Sequence, residues 1–189
     1  MNNPVAVDRH PLTLADALMR SATPLVGPEL TSRARLIASL SHHGQLDAIG
    51  SPYWGHLARV AARAESIRGR MVEPFDRFDV EAVAWLHAVL EDTPVTFDEL
   101  RIAGMNSNVC QAVAVLTHRG EPRELYLARI ATHPLARLVK IADTLDNTDP
   151  VRWRSIADAS RRERLGRKYD GQLQMLLNAA GDSITADML

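Results

Sequence analysis

The feature that most limits what this chain can become is a periodicity. Ala, Leu and Arg recur at three- and four-residue spacing along most of its length, as in "AVAWLHAVLEDTPVT" (82 to 96), and alternating Val/Ile/Thr runs closed by hairpin turns are missing. Apolar side chains at that spacing gather on one side of a helix and cannot supply the in-and-out alternation of a half-buried strand. The pattern predicts an all-α protein, with helices over roughly 31–46, 53–67, 79–91, 97–103, 107–117, 122–131, 134–147 and 158–179. Asp79 is placed to cap the helix starting at Val80, "TFDE" (Thr96 to Glu99) has the spacing of a capping box closed by Gly104, and Asp149 before Pro150 marks another start.

With 189 residues, 46% hydrophobic and 24% charged, the chain is sized and balanced for one soluble globular domain. Residues 1–29, richer in Pro and Asn, read as an arm or loose helix, and residues 30–189 as the domain. A formal charge of −1 gives no global field for a nucleic acid, and no apolar run is long enough to span a bilayer. The single Cys110 cannot close an internal disulfide and reads as a small core residue, and the N-terminus lacks the apolar core of a signal peptide, so a cytoplasmic location is expected. Oligomeric state is left open.

Chemistry concentrates in three segments. On a helix His87 and Glu91 share one column and Ala88 and Asp92 the next. In "RLVKIADTLDN", Lys140, Asp143 and Asn147 stack at intervals of three and four, interrupting a face that Leu138, Ile141 and Leu145 would otherwise make plain core. "GSPYWGH" places His56 in the first turn of a helix. Two imidazoles and a carboxylate from separate segments can hold a divalent first-row metal and leave positions open for water and substrate. Each residue also has a plainer reading. Lys140 with Asp143 is equally an intrahelical ion pair, and Glu91 with Asp92 a solvated helix end, although acids at a C-terminus oppose the macrodipole. His10, His43, His118 and His133 are read as ordinary core or surface residues.

In order along the chain, "SHHGQLDAIGSPYWGH", "WLHAVLEDTPVT", "VKIADTLDN" and "RKYDGQLQML" resemble four motifs of the HD-domain phosphohydrolases, in particular the hydrolase domain of Rel/SpoT-type enzymes and the small alarmone hydrolases. The resemblance covers roughly residues 30 to 180. It implies a single HD-domain helical bundle in which His56, His87 and Asp143 bind a metal, usually Mn2+. It further implies that Glu91 and Asp92 assist the attacking water or leaving group, and that Asn147 and Tyr169, with Lys140 beside them, meet a nucleotide substrate. The family's reaction removes pyrophosphate from the 3′ position of (p)ppGpp, leaving GDP or GTP.

The chain departs from the family at telling positions. Where the second residue of the His-Asp pair belongs stands Ala88, whose methyl cannot coordinate, so weakened metal binding and impaired turnover are expected. Ala88 is either a substituted aspartate in an otherwise intact site, which the surviving neighbours favour, or a ligand naturally lost. Asp47, Ala48 and Ile49 replace basic residues, one of which would stack on guanine, and Asp47 would repel a polyanion. Thr144 and Asp146 stand for Arg and His, loosening the match on the substrate side. Compensating charge is sought in Arg152, Arg154, Arg161, Arg162, Arg164, Arg167 and Lys168, most of them read as a solvated face, and in Arg119 and Arg123. The alternatives are a non-catalytic HD-fold protein that binds a nucleotide or partner, or a hydrolase of another nucleotide.

Overall fold

The structure, a computed structural model, describes residues 13–71, 75–154, 156, 158–181 and 184–189. Residues 1–12 of the expected arm, His10 among them, lie outside the described residues. Helices follow one another throughout: α1 (Leu14–Ala17), α2 (Gly27–Ser41), α3 (Tyr53–Arg68), α4 (Arg77–Leu86), α5 (Val89–Asp92), α6 (Phe97–Ile102), α7 (Ser107–Leu116), α8 (Arg123–Ala131), α9 (Pro134–Asn147), α10 (Pro150–Arg154), α11 (Ala159–Tyr169) and α12 (Gln172–Ala180). Among the described residues no β-strand forms, only an isolated bridge between Leu46 and Pro52. None of the described helices is long and apolar enough to cross a membrane.

Two helices form the axis of the bundle. α4 packs on α2, α3, α7 and α9, and α9 on α3, α4, α7, α8 and α12. A helix enclosed by that many neighbours must be apolar almost all round. α4 accordingly buries Val80, Ala82, Val83, Ala84, Trp85 and Leu86. α9 buries Leu135, Leu138, Val139, Ile141 and Ala142, and with them Asp143, Thr144 and Asp146. Alanines at 61 and 64 of α3 and at 82 and 84 of α4 are all buried, and their small side chains allow close helix approach. Polar groups in such a place must be paired, which is why the axis is where chemistry is to be sought.

Local signals explain the element ends, including those that differ from expectation. The first long helix runs over 27–41 rather than 31–46, because Pro28 fits its first turn, and beyond Ser41 the chain turns through Gly44 at φ +78°. The helix expected over 79–91 begins at Arg77, capped by Asp76, whose carboxylate accepts from the Phe78 and Asp79 N–H groups. Asp79 is not the cap; it sits inside the first turn and accepts from the side chains of Asn106 and Asn108. That helix also breaks at His87 and Ala88. The His87 ring Nδ1 lies 2.8 Å from the Ala84 carbonyl, the acceptor that a continuous helix reserves for the Ala88 N–H. The helix expected over 158–179 is two, separated at Gly171, which adopts φ +66°. The Thr96/Glu99 capping box forms as the spacing requires, and Gly104 follows that helix at φ +91°.

Candidate active site

The loop between α2 and α3, the α4–α5 break, α9 and the end of α11 converge on one cavity of about 480 Å³. His56 reaches it from the first turn of α3, His87 from the α4–α5 break and Asp143 from the middle of α9. One ligand atom from each lies within 4.8 Å of the others, and all three residues are buried. His56 Nε2 is 3.4 Å and His87 Nε2 3.8 Å from the same oxygen of Asp143, Oδ1. Both rings therefore turn Nε2 inward while Nδ1 is engaged elsewhere. His87 Nδ1 meets the Ala84 carbonyl, and His56 Nδ1 meets Asp146 Oδ2 at 2.8 Å. Such outward partners are what orient imidazoles that bind metals. Two nitrogens and an oxygen at this mutual spacing fit a divalent ion.

The electrostatics suit the same use. Burial pushes the His87 imidazole down to about 4, so it is neutral, with a free lone pair, near pH 7. Burial would raise Asp143, but the Lys140 ammonium and the two histidines outweigh it and hold its carboxyl well below the usual range. Burial would likewise lower His56, and the carboxylates of Asp143 and Asp146 reverse the direction and raise it. Lys140 Nζ lies 2.9 Å from Asp143 Oδ2 and 5.5 Å from the centre of the Tyr126 ring. Asn147 Nδ2 donates to Asp143 Oδ1 at 2.5 Å. The protein's own cation and amide thus both meet the Asp143 carboxylate.

The expected ligands, proton-handling acids and substrate-binding residues, together with Ala88, line this cavity: His56, His87, Ala88, Glu91, Asp92, Lys140, Asp143, Asn147 and Tyr169. Ala88 is nearly buried, and its methyl is part of the wall. Glu91 and Asp92 belong not to the end of a long helix but to the single turn α5, at the mouth of the cavity. Glu91 Oε2 accepts the His118 backbone N–H at 2.9 Å, and the Asp92 carbonyl accepts from Gln45 Nε2 at 3.0 Å. Tyr53 extends its hydroxyl to 3.5 Å from Asp92 Oδ2. Burial raises both Tyr53 and Tyr169, so both remain hydroxyl donors.

Two departures from the family pattern acquire a structural meaning. Asp47 does not present a free charge. Its Oδ1 accepts the Ile49 and Ser51 N–H groups, each at 3.0 Å, and its Oδ2 pairs with Arg152 at 2.6 Å and Arg59 at 3.4 Å. Asp146 is fully buried and lies behind His56, away from the cavity lining. It holds His56, Arg59 and Arg152 together. Thr144, also fully buried, bonds Gln172 at 2.6 Å and ties α9 to α12.

Of the basic candidates, Arg123 and Lys168 reach the cavity, and Arg152 is committed to Asp47 and Asp146. Arg161, Arg164 and Arg167 lie on the exposed face of α11, Arg167 paired with Glu163. His118, read from sequence as an ordinary residue, lines the cavity beside Tyr126. Gln45, Tyr53 and Arg59 were not singled out either. Gln45 and Tyr53 stand inside the first motif, so its fuller reading would have found them; Arg59 and Tyr126 carry no local signal. Cys110 is core, as expected, its thiol pushed up to about 11 by burial.

No family model matches the chain, and none of the curated proteins matches it significantly. The fold, however, is similar to the solved structure of a metazoan ortholog of SpoT that hydrolyzes ppGpp and plays a role in starvation responses. The two share 22% sequence identity and a TM-score of 0.62, over 87% of this chain and 92% of that one. The architecture is thus an all-α helical bundle with a fold similar to that structure's, and it carries a His/His/Asp group able to hold a metal.

Proposed function

We propose that this protein is built as a metal-dependent phosphohydrolase of nucleotide polyphosphates, acting on the 3′-pyrophosphate of (p)ppGpp, and that Ala88 impairs it. One observation carries the reading. Residues picked from four separated motifs line a single cavity in a fold similar to that of a ppGpp hydrolase. His56, His87 and Asp143 would hold the ion, Mn2+ by the family's habit. When bound, such an ion lowers the pKa of water and offsets phosphate charge.

The chain's own groups supply the rest. Glu91 keeps one oxygen on the His118 N–H, which fixes the carboxylate and leaves the other oxygen to accept a proton from the attacking water. Asp92, anchored through Gln45, stands beside it to relay that proton or direct the leaving group. Arg123 and Lys168 place positive charge on the cavity wall for the phosphates, and Asn147 and Tyr169 offer donors to sugar and phosphate oxygens. Ala88 favours a second reading, a nucleotide-binding protein without turnover. Asp47 gives that reading no support, because Arg152 neutralises it.

The test is Mn2+-dependent release of pyrophosphate from ppGpp by the unmodified chain and by Ala88→Asp. The expected result is turnover in Ala88→Asp and little in the unmodified chain. A folded Ala88→Asp protein that binds nucleotide but cleaves no nucleotide polyphosphate would move the binding-protein reading ahead.

A further inference from the structure

We propose that Asp146 is a positioning residue for the metal centre: its buried carboxylate holds His56 with Nδ1–H outward and Nε2 toward the ion. This deepens the metal-dependent reading above and rests on it. The sequence pattern suggests nothing of the kind, since the motif places a different residue at this position. Geometry makes the case. Asp146 Oδ2 lies 2.8 Å from His56 Nδ1, on the side of the ring opposite Asp143, and His56 Nε2 points at Asp143 Oδ1. Neither carboxylate can serve the other's nitrogen.

Asp146 is itself fixed on every side. Arg59 Nε donates to its Oδ1 at 2.8 Å, and Arg59 Nη2 reaches Oδ2 at 3.2 Å. Arg152 donates to Oδ2 and, at 2.7 Å, to the Asp146 backbone carbonyl. Two guanidinium groups keep a fully buried carboxylate charged and in one rotamer. Arg152 continues to Asp47 Oδ2 at 2.6 Å, so one guanidinium joins the carboxylate behind His56 to the α2–α3 loop that lines the cavity. An isolated ion pair for stability would not require one of its acceptors to be spent on a ligand imidazole. A carboxylate–histidine pair behind a metal makes the imidazole more basic and fixes its tautomer, and loss of such a partner weakens metal binding about 10- to 100-fold.

The experiment measures Mn2+ dissociation constants by electron paramagnetic resonance for the unmodified chain, for Ala88→Asp and for Ala88→Asp carrying Asp146→Asn. It adds 15N NMR of the histidines in zinc-loaded Ala88→Asp. Asparagine keeps the volume and one acceptor, so the fold should survive; circular dichroism and thermal melting check that it does. Asp146→Asn is expected to weaken Mn2+ about 10- to 100-fold. Thr96→Ala, a destabilising change outside the cavity lining, leaves the constant unchanged. The NMR spectrum is expected to show His56 with hydrogen on Nδ1 and zinc on Nε2. Binding within twofold of the parent, or a proton on Nε2, overturns the proposal while leaving the metal-dependent reading standing. Failure of both the unmodified chain and Ala88→Asp to bind the ion overturns both together.

Discussion

Asp47→Ala is expected to be among the most destabilising single changes outside the apolar core. Asp47 is 8% exposed and accepts two backbone N–H bonds and two guanidinium bonds. Truncation leaves the Ile49 and Ser51 N–H groups without their acceptor. Each such loss costs about 1–3 kcal/mol when water cannot replace the partner. Ile49 and Ser51 are only half-buried, so the low end applies, and together they contribute about 2 kcal/mol. Arg152 keeps Asp146, and Arg59 is partly solvated, so the charge imbalance adds about 1 kcal/mol rather than the 3–5 of an ion pair broken outright. The sum, about 3 kcal/mol, lowers Tm by roughly 6–12 °C in a chain of this size. Urea unfolding followed by circular dichroism, with m unchanged, reads it directly. A loss below about 1 kcal/mol would refute the view that Asp47 is the keystone of the α2–α3 loop.

Other outcomes follow from single contacts. Thr96→Ala removes the hydroxyl half of a formed capping box and is expected to cost about 1 kcal/mol in chemical denaturation, with the fold unchanged. Cys110, buried and raised to about 11, is expected to resist a disulfide reagent at pH 8 in the native protein and to react promptly in urea. For Asp146, burial would raise the carboxyl, but His56 and Arg59 outweigh it and lower it from 3.8 to about 2. A depressed carboxylate stabilises above its unfolded pKa and loses that contribution as pH falls through the folded value. Urea midpoints of the unmodified chain are thus expected to drop between about pH 4 and 2 by more than those of Asp146→Asn.

Much of the architecture was legible because it depends on short-range rules. The helix over 134–147 matches the structure to the residue, since Pro134 can only begin it and its apolar spacing sustains it. The errors came where two local signals competed. Asp79 and Asp76 are both reasonable caps, and the choice fell to Asp76 because Asn106 and Asn108, distant in sequence, take Asp79. The break at Ala88 was hidden because residues 82 to 91 are good helix formers, and only the His87 ring bonding back to Ala84 exposes it.

The sequence by itself determined the all-α character and picked out His56, His87, Glu91, Asp92, Lys140, Asp143, Asn147 and Tyr169, which line the cavity, because helical periodicity and motif order are written along the chain. Tertiary structure alone decided how charge is distributed among them. In sequence Asp47 and Asp146 are two acids out of place on a substrate-binding surface. In the fold Arg59 and Arg152 meet both, turning one into the anchor of a loop and the other into the support of His56. Those partners lie up to 105 positions away. What a carboxylate does depends on which cation and which imidazole the packing brings within about 3 Å of it, a distance that spacing along the chain does not encode.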